Sequence, residues 1–330
     1  MLYNNSNQFK RIFLRLSSYN KVTLSLIKHG VPLKEIIKTK FPYYFKDNKI
    51  PCSLSIELGN ICNLKCVYCN IPHLSRKREF MSELVFGQLI ENLKKVNINR
   101  IRIGGGEPTL HPHFNSFMTE LRKYTKFLSI VTNAQWIRPD IKETLINIPF
   151  DLIEVSMDAG GKEVYQRSRI GANFELFETN LNDLKKLKDK SQKKILINMR
   201  LMVRPSKINI LNDETSRWKK YCDSVMPQII TNIPETNYFE DVFIPSQREG
   251  FSVPKCTLPF KDLLLKPNGE VPYCQVTGNT ISRKRIIAGN ISNDSINDIW
   301  NYKIIKMRRA HRLRIFDSFE TEYCKGCTGR

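Results

Sequence analysis

Residues 54–69 read LSIELGNICNLKCVYC. The stretch opens on a β-rich run, Leu54–Leu58, and closes on three cysteines, Cys62, Cys66 and Cys69. Three thiols directly after a strand, within eight residues, can be aimed at one point by a compact loop. Three thiolates are one short of the four that a four-iron cluster normally takes. The missing ligand leaves one iron open to bind and activate a substrate, as an open zinc position does. Structural zinc would bring a fourth protein ligand, in another CxxC or a paired His. His73 lies nearby, but CxxxCxxC is unusual spacing for zinc.

Outward from this loop, the chain alternates strand and helix from Pro51 to about Pro205. The β-rich runs are Leu54–Leu58, Arg100–Ile103, Leu128–Thr132, Leu152–Met157 and Ile195–Met202. Helical stretches lie between and after them at Ser82–Val96, Pro112–Tyr124, Arg138–Asn147 and Phe174–Lys188. Strands separated by helices imply parallel βαβ units, in an open sheet or a barrel. In such folds the chemistry collects at the C-terminal ends of the strands. One strand after the cysteine loop, Ile101-Arg102-Ile103 runs into Gly104-Gly105-Gly106-Glu107-Pro108-Thr109-Leu110. Glycines at a strand end let backbone approach a ligand closely. Glu107 adds an acceptor able to bond an ammonium group.

The Cx3Cx2C loop, the aromatic Tyr68 before its last cysteine and the Gly-Gly-Glu turn one βα unit later resemble the radical S-adenosylmethionine (radical SAM) superfamily. The resemblance implies an α/β fold, a partial (β/α)6 TIM-like barrel. It implies that Cys62, Cys66 and Cys69 hold a [4Fe-4S] cluster whose open iron chelates the amine and carboxylate of S-adenosyl-L-methionine. One electron from the cluster then cleaves SAM to methionine and a 5′-deoxyadenosyl radical, which abstracts hydrogen from the substrate. Tyr68, Gly105, Gly106 and Glu107 match the cofactor-side motifs. Ser156, in Val155-Ser156-Met157-Asp158, and Arg200, on Ile195–Met202, are further cofactor-binding candidates, Arg200 as a partner for the SAM carboxylate. Asn133, Asp158 and Arg169 match family positions less sharply. For each of these the alternative is a structural polar residue at a strand end. No catalytic residue beyond the cluster ligands is assigned.

A second set of thiols follows: Cys256, Cys274, Cys324 and Cys327. Four thiolates complete a cluster shell with no open site, and they would equally suit structural zinc. Between Cys256 and Cys274 the turn Pro267-Asn268-Gly269 reads as the bend of a β-hairpin. The order Cys, hairpin, Cys, Gly289-Asn290-Ile291, Trp300, CxxC resembles the SPASM/Twitch auxiliary-cluster domain in its single-cluster version. The resemblance implies a small C-terminal iron-sulfur domain, a β-hairpin plus helix, with a second [4Fe-4S] cluster. The expected division is 1–50, a basic N-terminal helical extension; 51–250, the radical SAM core; and 251–330, the auxiliary-cluster domain. Cys52 and Cys222 read as ordinary buried thiols.

The chain has 330 residues, nine cysteines and a formal net charge of +21. Nine cysteines suit metal sites in a reducing compartment better than disulfides. No apolar run approaches the roughly 18–20 residues that span a bilayer, and the N-terminus lacks an apolar signal core, so a cytoplasmic location is expected. Residues 1–50 carry ten Lys or Arg against Glu35 and Asp47. Phe9, Ile12, Phe13 and Leu16 fall there at helical spacing, either docking on the following domain or meeting an anionic partner or membrane surface.

A closed auxiliary cluster suggests a second redox centre that takes an electron from a substrate radical. The basic balance, and an N-terminal segment shorter than the winged peptide-recognition domain of many peptide-modifying relatives, point to oxidation of a sugar, aminocyclitol or nucleotide-linked sugar. The alternative is a peptide maturase or epimerase. A non-catalytic zinc protein or nucleic-acid-binding protein is the reading from another class. A flavodoxin or ferredoxin is the family's typical electron donor.

Overall fold

The computed structural model describes residues 21–40, 48–74, 76–138, 140–230, 256–275, 286–318, 321 and 324. The expectations for Phe9, Ile12, Phe13, Leu16 and Cys327 lie outside the described residues.

Seven strands form one sheet: β1 (Ser53–Gly59), β3 (Arg100–Gly105), β4 (Phe127–Thr132), β5 (Leu152–Asp158), β7 (Leu196–Val203), β8 (Ser224–Ile229) and β9 (Asp262–Leu265). A small antiparallel pair, β2 (Lys65–Cys66) with β6 (Arg169–Ile170), stands apart. The order in the large sheet is β8-β7-β5-β4-β3-β1-β9, and every neighbouring pair is parallel. From β1 to β8 each new strand is added on the same side of the last. With right-handed crossovers, steps in one direction place all the helices on one face of the sheet. That is the topology of a barrel wall, not of a doubly wound sheet with its reversal point. Among the described residues β8 and β9 remain edges, so the wall is open.

Side-chain alternation agrees with this. Leu54, Ile56, Leu58, Ile101, Ile103, Leu128, Ile130, Ile153, Val155, Ile197 and Met199 join one apolar core with residues of the helices. The opposite face is polar. Parallel register sets Ser55 beside Arg102, and Ser156 beside Arg200. A parallel sheet covered on both faces would be apolar on both; the polar face here lines the interior.

The covering helices follow from local sequence. In α2 (Glu83–Lys95; α1 is Leu33–Lys40) the Ser82 side chain caps the start by accepting from the Val85 amide, and Phe86, Leu89, Ile90 and Leu93 are buried. Their spacing puts them on one stripe. α3 (Phe114–Arg122), α4 (Asp140–Asn147), α5 (Gly161–Ser168) and α6 (Phe174–Ser191) follow, then α7 (Leu211–Trp218). Asn173 caps α6 through the Leu176 amide. β8 and α5 are among the elements that differ from expectation. β8 lies outside the β-rich runs given above, because Pro227 interrupts its pattern. It is an edge strand, where a missing amide costs nothing. α5 occupies a stretch in which no helix is expected.

The described part of the N-terminal extension, a helix at 21–28 followed by α1, docks at the N-terminal ends of the strands. Leu26, Val31 and Ile36 pack on Phe127 and Leu152. His29 Nε2 lies 2.8 Å from Asp151, and Lys126 donates to the Gly30 carbonyl at 3.2 Å. No helix among the described residues is long and apolar enough to cross a membrane.

The C-terminal segment is tied into the same sheet. β9 pairs with β1, placing Asp262 beside Ser53. The Asn-Gly turn forms, with Lys266 N–H donating to Glu270 O at 2.8 Å and Gly269 at φ +82°. Its two arms then part company. β9 belongs to the large sheet, whereas β10 (Glu270–Pro272) pairs antiparallel with β11 (Ile287–Asn290). The expected hairpin is therefore a tight turn shared between two sheets, because the edge of β1 takes the first arm. A helical stretch at 296–303 leads into α8 (Ile305–Leu313).

Candidate functional site

Where β1 ends, Gly59 and Ile61 lend their carbonyls to the Gly-Gly-Glu turn after β3. Gly106 N–H donates to Gly59 O at 2.7 Å, and Glu107 N–H to Ile61 O at 2.9 Å. The two motifs separated by one βα unit are thus one backbone-bonded piece. A Cβ on Gly106 would stand 2.0 Å from the Ile61 carbonyl oxygen. On Gly105, at φ +112°, it would stand 2.3 Å from Gly59 O. These glycines let backbone approach backbone; of the three, only Gly104 faces open space.

Glu107 is 2% exposed and faces inward. Its Oε1 accepts from Thr109 Oγ1 (2.7 Å) and Thr132 Oγ1 (2.8 Å), and its Oε2 from the Asn133 amide (2.7 Å). Burial raises its pKa and these hydrogen bonds oppose the rise. The carboxylate fastens the turn after β3 to the end of β4. Asn133 then reaches back, donating from Nδ2 to Asn63 Oδ1 at 2.8 Å and to Cys62 Sγ at 3.7 Å.

The other end of the cysteine loop is fixed to β5. Cys66 lies opposite Arg169 in the β2–β6 pair, and Val67 N–H donates to Ser168 O at 2.9 Å. Tyr68 Oη donates to Asp158 at 2.6 Å, while Arg169 donates to the same carboxylate from Nε at 3.0 Å and Nη2 at 2.7 Å. Arg169 and Asp158 are both nearly inaccessible. Burial pushes the Tyr68 hydroxyl well above its usual range, so it stays a donor. Tyr68, Asp158 and Arg169 act together as an anchor for the loop.

Burial likewise pushes the thiols up, to about 11 for Cys62, about 12 for Cys66 and about 11 for Cys69. Arg169 opposes the rise at Cys66, and each thiol is raised further by another of the three. Without metal all three are protonated at neutral pH, and metal binding there releases protons. Among the described residues no three His, Cys, Asp or Glu side chains are gathered tightly enough for one metal ion. Thiolates on a single zinc at about 2.3 Å each would crowd together, whereas a cluster spreads its thiolates over separate irons. Three thiols on one anchored loop, with the Asn133 carboxamide donating to Cys62, fit the second case.

Ser156 and Arg200 sit side by side on the polar face. Arg200 donates to Gln228 and lies 4.0 Å from Glu154, which also accepts from Arg102 Nε at 3.0 Å. Sequence reading missed a buried group at the rim. Glu57, at the end of β1, is met by Arg76 and by Lys266 Nζ at 2.6 Å, and it is 3% exposed. Lys266, 1% exposed, comes from the turn after β9. A charged residue inside a β-rich run was the available signal for Glu57; nothing local marks Lys266.

Of the second cysteine set, Cys256 and Cys274 are half-buried and Cys324 is buried. Cys256 stands ahead of β9 and Cys274 just after β10. The Gly-Asn-Ile motif meets the Asn-Gly turn: Ile291 N–H donates to Gly269 O at 3.0 Å, and Asn290 Nδ2 to Asn268 O at 3.1 Å. Trp300 is fully buried, under the Arg308 guanidinium at 4.0 Å. Gln275 reaches across to Ser55 Oγ at 3.1 Å and to Asp262. His311 Nε2 lies 3.5 Å from Cys324 Sγ, and burial lowers its pKa to about 4. Cys52 and Cys222 are buried as expected; the Cys222 thiol donates to the Trp218 carbonyl.

Residues 56–201 match the radical SAM superfamily, and residues 256–328 an iron-sulfur cluster-binding domain of the SPASM type. The mycofactocin maturase MftC of Mycobacterium tuberculosis is 27% identical, over 41% of this chain and 34% of that protein. The antilisterial bacteriocin subtilosin biosynthesis protein AlbA of Bacillus subtilis is 23% identical, over 84% of this chain and 67% of that protein. The chain thus spans about a third of the length of one relative and about two thirds of the other. In fold it is similar to Streptococcus suis SuiB, solved with its precursor peptide SuiA, at a TM-score of 0.55 and 16% identity, over 83% of this chain and 70% of that one.

Proposed function

This chain belongs to the radical SAM superfamily and carries an iron-sulfur cluster-binding domain after its core, and from that premise we propose that it is a peptide-modifying maturase using S-adenosyl-L-methionine and two [4Fe-4S] clusters. The observation that carries the reading is the similarity to AlbA, which runs through 84% of this chain. The peptide-maturase alternative therefore stands ahead of the sugar or aminocyclitol oxidation that composition and the short N-terminal segment suggested.

Cys62, Cys66 and Cys69 would hold the SAM-side cluster, and Cys256, Cys274, Cys324 and Cys327 the auxiliary one. A cluster held by Cys62, Cys66 and Cys69 would supply the one-electron reduction on which SAM cleavage and hydrogen abstraction from a peptide depend. The chain's own residues prepare that site. The backbone bonds from Gly106 and Glu107 set the height of the cysteine loop above the sheet. Asn133 supplies an N–H to Cys62, favouring its thiolate. Tyr68, Asp158 and Arg169 prevent the loop from lifting, and the Arg169 charge favours the Cys66 thiolate. Ser156, Arg200 and the rest of the polar face offer hydrogen-bond partners to a polar ligand inside the wall.

Anaerobically reconstituted protein with SAM and dithionite should release 5′-deoxyadenosine. It should contain about eight iron per chain, four for each cluster. Incubated with candidate precursor peptides, it should produce a crosslinked peptide lighter by two hydrogens, or an epimer of unchanged mass. Turnover of sugar alcohols or aminocyclitols with no change in any peptide would overturn the maturase reading. Zinc at both thiol sets would overturn the radical reading as well.

A further inference from the structure

His311 has no part in the chemistry above, yet its position is costly. It lies on α8 and is 2% exposed. Phe316 closes over it edge-on, with ring centroids 5.0 Å apart. Its Nδ1 is buried with no hydrogen-bond partner among the described residues. A buried, unsatisfied polar atom is destabilising. Leu or Phe would fill the same space without that penalty. What an apolar side chain could not provide is the contact from Nε2 to Cys324 Sγ at 3.5 Å.

We propose that His311 is a positioning residue for the auxiliary cluster: its Nε2–H donates to the Cys324 thiolate and raises the reduction potential of the cluster that this thiolate helps to hold. The proposal rests on reading Cys256, Cys274, Cys324 and Cys327 as the ligand set. A ligating thiolate has no proton, so the bond runs one way only, from nitrogen to sulfur. That fixes the tautomer and leaves Nδ1 as an unpaired acceptor, which proteins tolerate better than an unpaired N–H. Hydrogen bonds to ligand sulfur are among the levers that set the potential of an iron-sulfur cluster. Donation stabilises the reduced cluster because that state carries one more negative charge, and low surrounding dielectric strengthens the effect. A cluster with four protein thiolates has no open iron. Its potential therefore decides whether it can accept an electron from a substrate radical.

The test uses the full-length Cys62→Ala/Cys66→Ala/Cys69→Ala protein, reconstituted, reduced and carrying 15N-histidine, so that only the auxiliary cluster is present. Pulsed electron paramagnetic resonance should show one weakly coupled 15N nucleus. His311→Phe should erase the coupling and shift the midpoint potential to a more negative value. His311→Gln, whose amide can still donate, should recover part of the shift. Absence of 15N coupling in the parent overturns the proposal, and so does an unchanged potential in His311→Phe. A strong coupling, marking nitrogen bonded to iron, overturns it too. If His311→Phe loads no cluster, the coupling in the parent decides. If the parent itself binds no iron, the auxiliary-cluster reading has failed, an outcome that iron analysis distinguishes from failure of the hydrogen bond.

Discussion

The two cysteine sets are built on opposite plans. Cys62, Cys66 and Cys69 lie on one loop whose two ends are bonded to β3 and β5. The described members of the second set come from three separate places: ahead of β9, after β10 and after α8. Gathering thiols on a short loop already pinned by a barrel wall costs little chain entropy. Gathering them across longer connections costs more, growing slowly with the length closed. The first site should therefore be shaped by the fold, and the second should in part be shaped by its metal.

The largest effect expected from this contrast is on activity. Cys62→Ala/Cys66→Ala/Cys69→Ala should lower 5′-deoxyadenosine release to background and halve the iron, from about eight to about four per chain. Thermal melting of the metal-free protein should barely change, because the loop is anchored by backbone, Tyr68 and Asn133. Collapse of the metal-free fold in this variant would break the comparison.

Metal removal gives the converse. Chelating the iron should leave amide hydrogen exchange slow in β1, β3, β4 and β5. Exchange and proteolysis should rise in β10, β11 and α8. Equal loosening in both regions would mean that the second site is as preformed as the first.

Lys266→Met cuts the buried ion pair that joins the turn after β9 to Glu57. Breaking a buried pair usually costs about 3–5 kcal/mol. Arg76 stays beside Glu57, so the low end, about 3 kcal/mol, is expected in denaturant unfolding. A loss below about 0.5 kcal/mol, the size typical of plain surface positions, would show that β9 is held by its pairing with β1 alone.

Lys266 also shows where sequence reading stops. The first site is legible because its ligands are neighbours in sequence and its glycine turn follows a recognisable strand. Five strands are legible for a similar reason: each is a short β-rich run between helical stretches. β8 is hidden by Pro227, since the same residue that excludes a central strand is harmless at an edge. The one-sided placement of helices is implicit in the polar residues of β1, β3, β5 and β7, but strand boundaries alone do not show it. The pairing of β9 with β1, and of Lys266 with Glu57, depends on contacts about two hundred residues apart in the chain, for which no local pattern exists.

Tyr68 offers the finest test of the contrast, because two roles for it make different predictions. As a cofactor contact, Tyr68→Phe should raise the KM for SAM. As an anchor, it loses one hydrogen bond to Asp158, an acceptor that Arg169 and Ser168 still satisfy. Such a bond to a charged group is worth about 1.5–3 kcal/mol, and the remaining donors place the loss near the bottom of that range. The phenyl ring keeps the packing of Tyr68 against Ile230. The structure therefore expects a drop of about 1.5 kcal/mol in unfolding free energy and easier loss of the SAM-side cluster to a chelator, with the KM for SAM unchanged. Asp158→Asn should weaken the loop further, since it removes the charge that holds Arg169 as well. If Tyr68→Phe instead alters KM and leaves stability intact, the loop is held by its backbone bonds alone, and the hydroxyl belongs to the ligand side of the site.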